Sequence, residues 1–146
     1  MKYISTRDNT KEYNFEQVFI KGLADDGGLY VPKTLKKFSA EELIKLKNLN
    51  YNALSAEIIS LFSEDFISKE ELLSLINKSY STFREKEVVK ISNVGEIKLL
   101  ELFHGPTLAF KDIAMQFIGN LYEYYLSKND KKINIVVATS GDTGAA

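Results

Sequence analysis

Lys111 stands in "ELFHGPTLAFKD" (101–112), where an apolar strand over 99–103 breaks at Gly105-Pro106 and a helical pattern resumes near Leu108. That spacing puts an ammonium group in the first turns of a helix, where the positive end of the macrodipole favours carboxylates. An ordinary lysine has a pKa of about 10.4 and is a poor nucleophile at neutral pH. A positive helix end and partial burial both disfavour its charged form. A neutral amine is what attack on a carbonyl requires. The position therefore suits a Schiff-base lysine; the competing reading is a surface lysine whose stem lies along the protein. Asp112 beside it decides nothing, because acids are common in a first helical turn.

A second stretch, "ATSGDTGAA" (138–146), follows a continuous apolar run. Successive N–H groups at a glycine-containing loop leading into a helix form an anion site. Gly141 and Gly144 let a backbone approach a ligand, and Ser140 and Thr143 add hydroxyls. Asp142 either caps the helix or accepts a hydrogen bond from a ligand hydroxyl. The plainer alternative is an ordinary N-cap turn. The spacing is neither the Walker pattern nor G-x-G-x-x-G, so a Rossmann-type nucleotide site ranks last. Taken together, a lysine suited to carbonyls and an anion cradle point to a carbonyl cofactor and an anionic substrate.

The rest of the chain must position these two stretches. With 146 residues there is enough sequence for a modest domain with a real core. The 19 lysines and arginines nearly cancel the 20 acids, and no basic stripe appears, which disfavours nucleic acid and anionic membrane as partners. The absence of cysteine excludes disulfides, thiolate metal sites and a cysteine nucleophile. The N-terminus has no signal-peptide plan and no apolar run is long enough to span a membrane, so the expected address is cytoplasmic.

Periodicity divides the chain into a helical N-terminal region, 1–86, and a second region, 87–146. In the first, "KYIST" (2–6) reads as a short strand. Phe15, Val18, Phe19 and Leu23 share one helical face. "DDGG" (25–28) ends that helix as a turn; it lacks the spacing of a calcium loop. "LYVP" (29–32) is extended. Ser39 with Glu42, and Ser68 with Glu71, form capping-box patterns. Helices follow over 52–62 and 68–83, the second with Leu72, Ile76, Tyr80 and Phe83 in a stripe. In the second region, "EVVKIS" and "EIKLLELF" flank "NVG", a hairpin signal. A helix over 109–127 repeats Ile113, Phe117, Leu121 and Tyr125. "KINIVVATS" (132–140) has the composition of a strand buried on both faces in a parallel sheet. That fold class is α/β, and the chain stops soon after a strand that needs neighbours, so the sequence reads as a truncated polypeptide. The only histidine, His104, is read as structural at a strand end, and no metal site is expected.

The sequence resembles the threonine synthase family. The residues that carry the resemblance are "ELFHGPTLAFKD", "ATSGDTG", "LADDGGLYVP" (23–32) and the early "STR" (5–7). The resemblance implies a fold-type-II enzyme dependent on pyridoxal 5'-phosphate, a carbon–oxygen lyase converting O-phospho-L-homoserine to L-threonine and phosphate. It implies that Lys111 is the Schiff-base lysine and shuttles protons. It also implies that Phe110 packs near the cofactor ring and that Ser140, Gly141, Asp142 and Thr143 meet the substrate carboxylate. In that family a second glycine-rich loop far downstream holds the cofactor phosphate, and the resemblance covers only the N-terminal third. The 146 residues alone are therefore expected to be inactive. The rival readings are a sister fold-type-II lyase such as a dehydratase, and a truncated non-catalytic homologue that binds a small anion or a partner chain. Oligomeric state is not legible in the sequence.

Overall fold

In the computed structural model, which describes residues 1–63 and 65–146, the first four helices begin where short polar side chains take up free backbone N–H groups. Helix α1, Phe15–Lys21, starts at Asn14. Its side chain accepts from Gln17 N, while Gln17 Oε1 accepts from Asn14 N, both at 2.9 Å. Helix α2, Ala40–Lys47, repeats the device with Ser39 and Glu42, at 3.2 and 2.8 Å. Helix α3 spans Tyr51–Ser63, and α4 spans Lys69–Tyr80. The Ser68–Glu71 box opens α4, with Glu71 N donating to Ser68 Oγ at 3.2 Å. Of these three boxes, those at Ser39–Glu42 and Ser68–Glu71 fall at the positions expected from the sequence.

The described residues form two units, Met1–Leu73 and Ser74–Ala146. In the first, strands β1 (Tyr3–Ser5) and β2 (Tyr30–Pro32) pair antiparallel, with Tyr3 opposite Pro32 and Ser5 opposite Tyr30. The "STR" and "DDGG" stretches meet beside this ribbon. Asp26 Oδ1 accepts from Ser5 Oγ at 2.9 Å and from Gly28 N at 2.8 Å, and Arg7 Nη1 donates to Asp26 O at 3.1 Å. The Gly28 amide, then the Ser5 hydroxyl, hold the Asp26 carboxyl below its ordinary range. Phe15, Phe19 and Phe66 pack with centroids 5.3–6.0 Å apart. Tyr3 donates to Phe62 O at 2.8 Å, and burial pushes its hydroxyl pKa up to about 12. Leu23 departs from expectation. Helix α1 ends at Lys21, so Leu23 falls outside the apolar face and is 63% exposed.

The second unit holds the rest of α4, the hairpin of β3 (Lys90–Val94) and β4 (Ile97–Glu101), helix α5 (Asp112–Asn129) and the short α6 (Asp142–Ala145). Gly95 sits at the first central position of the two-residue hairpin turn with φ 63°, which a residue without Cβ adopts at low cost. Phe117, Leu121 and Tyr125 repeat every four residues on α5 and are buried, as are Ile76 and Tyr80 on α4. Phe83 lies past the end of α4 and packs edge-on against Tyr80 at 5.2 Å. Polar bonds join α4 and α5 within this unit: Asn120 Nδ2 to Ser79 Oγ at 3.0 Å, and Tyr80 Oη to Ile113 O at 2.9 Å. Tyr80→Phe removes only that hydroxyl. It is expected to lower stability by about 1 kcal/mol, read from the shift in urea midpoint at constant m-value.

Residues 132–140, expected as a buried parallel strand, form no ladder, and Ile135, Val136 and Val137 are 66%, 94% and 52% exposed. The physical reason is that a strand is made by its neighbours. Both sheets among the described residues are two-stranded antiparallel pairs, and neither takes up this apolar run as a parallel neighbour. Among the described residues no helix is long and apolar enough to cross a membrane. None of their His, Asp and Glu groupings is suited to hold a metal ion.

Candidate functional site

The lysine segment does not enter the helix as early as its sequence pattern suggests. Helix α5 begins at Asp112, not near residue 109, and the chain from Gly105 to Lys111 runs through successive turns. Leu108 N donates to Gly105 O at 3.2 Å, Asp112 N to Ala109 O at 3.1 Å and Ile113 N to Phe110 O at 3.3 Å. Leu108 has φ 66°, in the left-handed region, and a residue there cannot continue a right-handed helix. Lys111 occupies the N-cap position with φ −62° and ψ −25°. Its carbonyl accepts from Ala114 N at 3.1 Å and Met115 N at 2.9 Å. It therefore stands at the lip of the helix rather than within its first turn.

What holds the turns together is Asp112, wholly buried although it is a carboxylate. Its Oδ2 accepts from Thr107 N at 2.9 Å and its Oδ1 from Thr107 Oγ1 at 2.7 Å. From sequence alone Asp112 decides nothing, since acids are common in a first helical turn. The signal that identifies it is the five-residue interval from Thr107, which follows Gly105-Pro106. A Cβ added at Gly105 would lie 2.4 Å from both Asp112 Cβ and Oδ2.

The Lys111 side chain is 28% exposed. It borders a cavity of about 340 Å³ lined otherwise by Leu102, Phe110, Ile113, Ala114 and Met115, an almost wholly apolar wall. Its Nζ lies 5.7 Å from the centroid of the Phe110 ring, within cation–π range. It also lies 3.6 Å from Asp142 Oδ2. The structure thus brings together three of the residues singled out in the sequence: Lys111, Phe110 and Asp142.

The remaining three, Ser140, Gly141 and Thr143, flank Asp142 at the start of α6. Gly141 has φ 130° and its N–H is taken by Thr139 Oγ1 at 3.2 Å. Ser140 is exposed and Thr143 half-buried. Gln116 of α5 donates to Ala146 O at 2.8 Å, tying the end of this segment to the helix that carries the lysine.

His104 is engaged at the foot of the hairpin. Its Nε2 lies 2.7 Å from Glu101 Oε2, both side chains are largely buried, and its carbonyl accepts from Arg84 N at 2.8 Å. A hydrogen bond from Ser92, then the one with His104, lower the Glu101 pKa. The unfolded chain therefore takes up a proton at this carboxyl before the folded chain does. The resulting stabilisation is present above the ordinary glutamate pKa and is lost as the pH falls through the lower folded value. The stability gap between the parent and Glu101→Gln is expected to narrow between about pH 6 and about pH 3. Urea titrations at several pH values measure it.

The family model for the threonine synthase N terminus matches residues 2–80. The chain is 40% identical over 156 residues to the threonine synthase of Schizosaccharomyces pombe, covering 100% of this chain and 30% of that protein. It is 42% identical over 147 residues to that of Pseudomonas aeruginosa, covering 100% and 31%. Among solved structures, the PLP-bound threonine synthase of Brucella melitensis superposes with a TM-score of 0.92 at 38% identity, over 99% of this chain and 31% of that one. The chain thus spans about a third of the length of these relatives.

Proposed function

The chain belongs to the threonine synthase family, and from that membership we propose that it is the lysine-bearing N-terminal part of an enzyme converting O-phospho-L-homoserine to L-threonine and phosphate with pyridoxal 5'-phosphate. The observation that carries the reading is the Lys111 amine at the rim of an apolar cavity, with Phe110 and Asp142 beside it.

The residues present fit such a cofactor. A single primary amine reaches a cavity whose other walls are aliphatic or aromatic, which suits an aldehyde on a flat ring. When bound, the cofactor supplies the electron sink for bonds at the substrate's α-carbon. Lys111 is the residue that would hold it, and its Nζ, when free, would be the base that carries protons between substrate carbons. Phe110 offers a ring face beside the amine. Leu102, Ile113 and Met115 keep water from that side of the cavity. Ser140, Gly141, Asp142 and Thr143 receive the substrate's carboxylate, with the Ser140 and Thr143 hydroxyls as donors. The reading requires the phosphorylated amino acid and one water molecule, whose oxygen becomes the threonine hydroxyl after phosphate leaves.

Borohydride reduction of the holoenzyme followed by peptide mapping tests the assignment, because reduction fixes the cofactor to the amine that holds it. Label on Lys111 is expected, and label on another lysine overturns it. Turnover of O-phosphohomoserine, against serine or threonine, separates this reading from a sister dehydratase.

A further inference from the structure

We propose that Asp112 is the positioning residue of Lys111: by clamping Thr107 across the loop, it fixes the backbone from which the amine projects. The inference rests on the reading of Lys111 as the cofactor-holding amine.

Three observations converge on the residues leading to Lys111. Both Asp112 oxygens are spent on the two donors of one residue, Thr107 N and Oγ1, at 2.9 and 2.7 Å. Gly105 packs against the same carboxylate, with no room for a Cβ. Leu108, between the clamp and the lysine, is held at φ 66°. A leucine persists in that region only where its surroundings over-determine it, and Leu108 is half exposed, so its own side chain is not what holds it. The bonds from Thr107 to Asp112 close the ring that contains Leu108, Ala109, Phe110 and Lys111. With the ring closed, Lys111 has one backbone conformation at the helix lip. An amine that must meet a carbonyl carbon is sensitive to that setting, because misplacement by about 1 Å costs on the order of 10²-fold in rate.

The test uses the holoenzyme carrying Thr107→Val, which removes the hydroxyl bond and keeps the backbone one, and Asp112→Asn, which alters both. For each, kcat is expected to fall about tenfold or more with KM for O-phosphohomoserine little changed, the pattern of an interaction that acts on the chemical step. A second readout does not depend on turnover. The rate at which pyridoxal phosphate with borohydride labels Lys111 in the apo-protein is expected to fall severalfold relative to exposed Lys98 on β4. Thr107→Ser, which keeps a hydroxyl, is expected to restore most of that labelling. Leu121→Ala, which weakens α5 from its buried face, is the control: it lowers stability and leaves the labelling ratio as in the parent. If Asp112→Asn does not fold, Thr107→Val decides alone. Thr107→Val that loses stability but labels Lys111 at the parent rate would overturn the proposal while leaving the reading of Lys111 intact. Label on a different lysine in the parent holoenzyme would overturn both.

Discussion

Replacing Lys111 with alanine is expected to lower turnover of O-phosphohomoserine by about 10³-fold or more while leaving the fold in place. The two halves of that expectation have separate grounds. Lys111 is part-exposed, and its contact with Asp142 is 3.6 Å long with the acid 68% exposed. Such a pair contributes about 0–1 kcal/mol, so the urea midpoint should move little. Catalysis is different, because the cavity wall around Lys111 is built of Leu102, Phe110, Ile113, Ala114 and Met115, none of which carries an amine or a titratable group. Nothing in that wall can substitute. Lys111→Arg sharpens the test: it keeps the positive charge and the contact with Asp142 but offers no neutral amine at working pH, since guanidinium stays protonated. It is expected to fail like alanine. Partial recovery of the alanine variant by added methylamine would show that the missing element is an amine rather than a charge. An alanine variant with near-parent turnover would remove Lys111 from the mechanism.

How far the sequence foretold this site depends on the range of the interactions involved. Capping boxes at Ser39–Glu42 and Ser68–Glu71 are legible because both partners lie within four residues. The hairpin at Gly95 and the Phe117–Leu121–Tyr125 stripe are legible for the same reason: local spacing fixes the turn and the buried face. The lysine loop is not. "TLAFKD" has good helix formers, and pattern alone extends α5 back through Ala109. What overrides propensity is Asp112 turning back on Thr107, which forces Leu108 left-handed and delays the helix to residue 112. The meeting of Lys111 with Asp142 is likewise a tertiary fact, separated by 31 positions. Residues 132–140 show the complementary limit. Their composition encodes a taste for a buried strand, while the strand itself requires a paired neighbour, and neither sheet of the described residues supplies one.

Gly105→Ala is expected to cost about 3–6 kcal/mol, a large part of the stability of an ordinary domain. The backbone at Gly105 is not in the left-handed region, so the penalty is one of space. The new methyl would lie 2.4 Å from Asp112 Cβ, an atom fixed close to the start of α5 and wholly buried, which cannot swing aside like a side-chain tip. Relief comes only by moving the loop away from the helix. That overpacking costs about 1–3 kcal/mol. Moving the loop also parts Thr107 from Asp112 and leaves the donors of Thr107 and a buried carboxylate without partners, about 1–3 kcal/mol for each group left unsatisfied. Gly119→Ala is the comparison that isolates the cause. The substitution is chemically identical and sits in α5 itself, but a Cβ there meets nothing within 4 Å. Helix propensity then favours alanine by about 1 kcal/mol, so stability should rise. Opposite shifts in urea midpoint for the two variants are the expected result. A fall of similar size in both would mean that α5 resists any added methyl and that the close approach of Gly105 to Asp112 is not what holds the lysine loop.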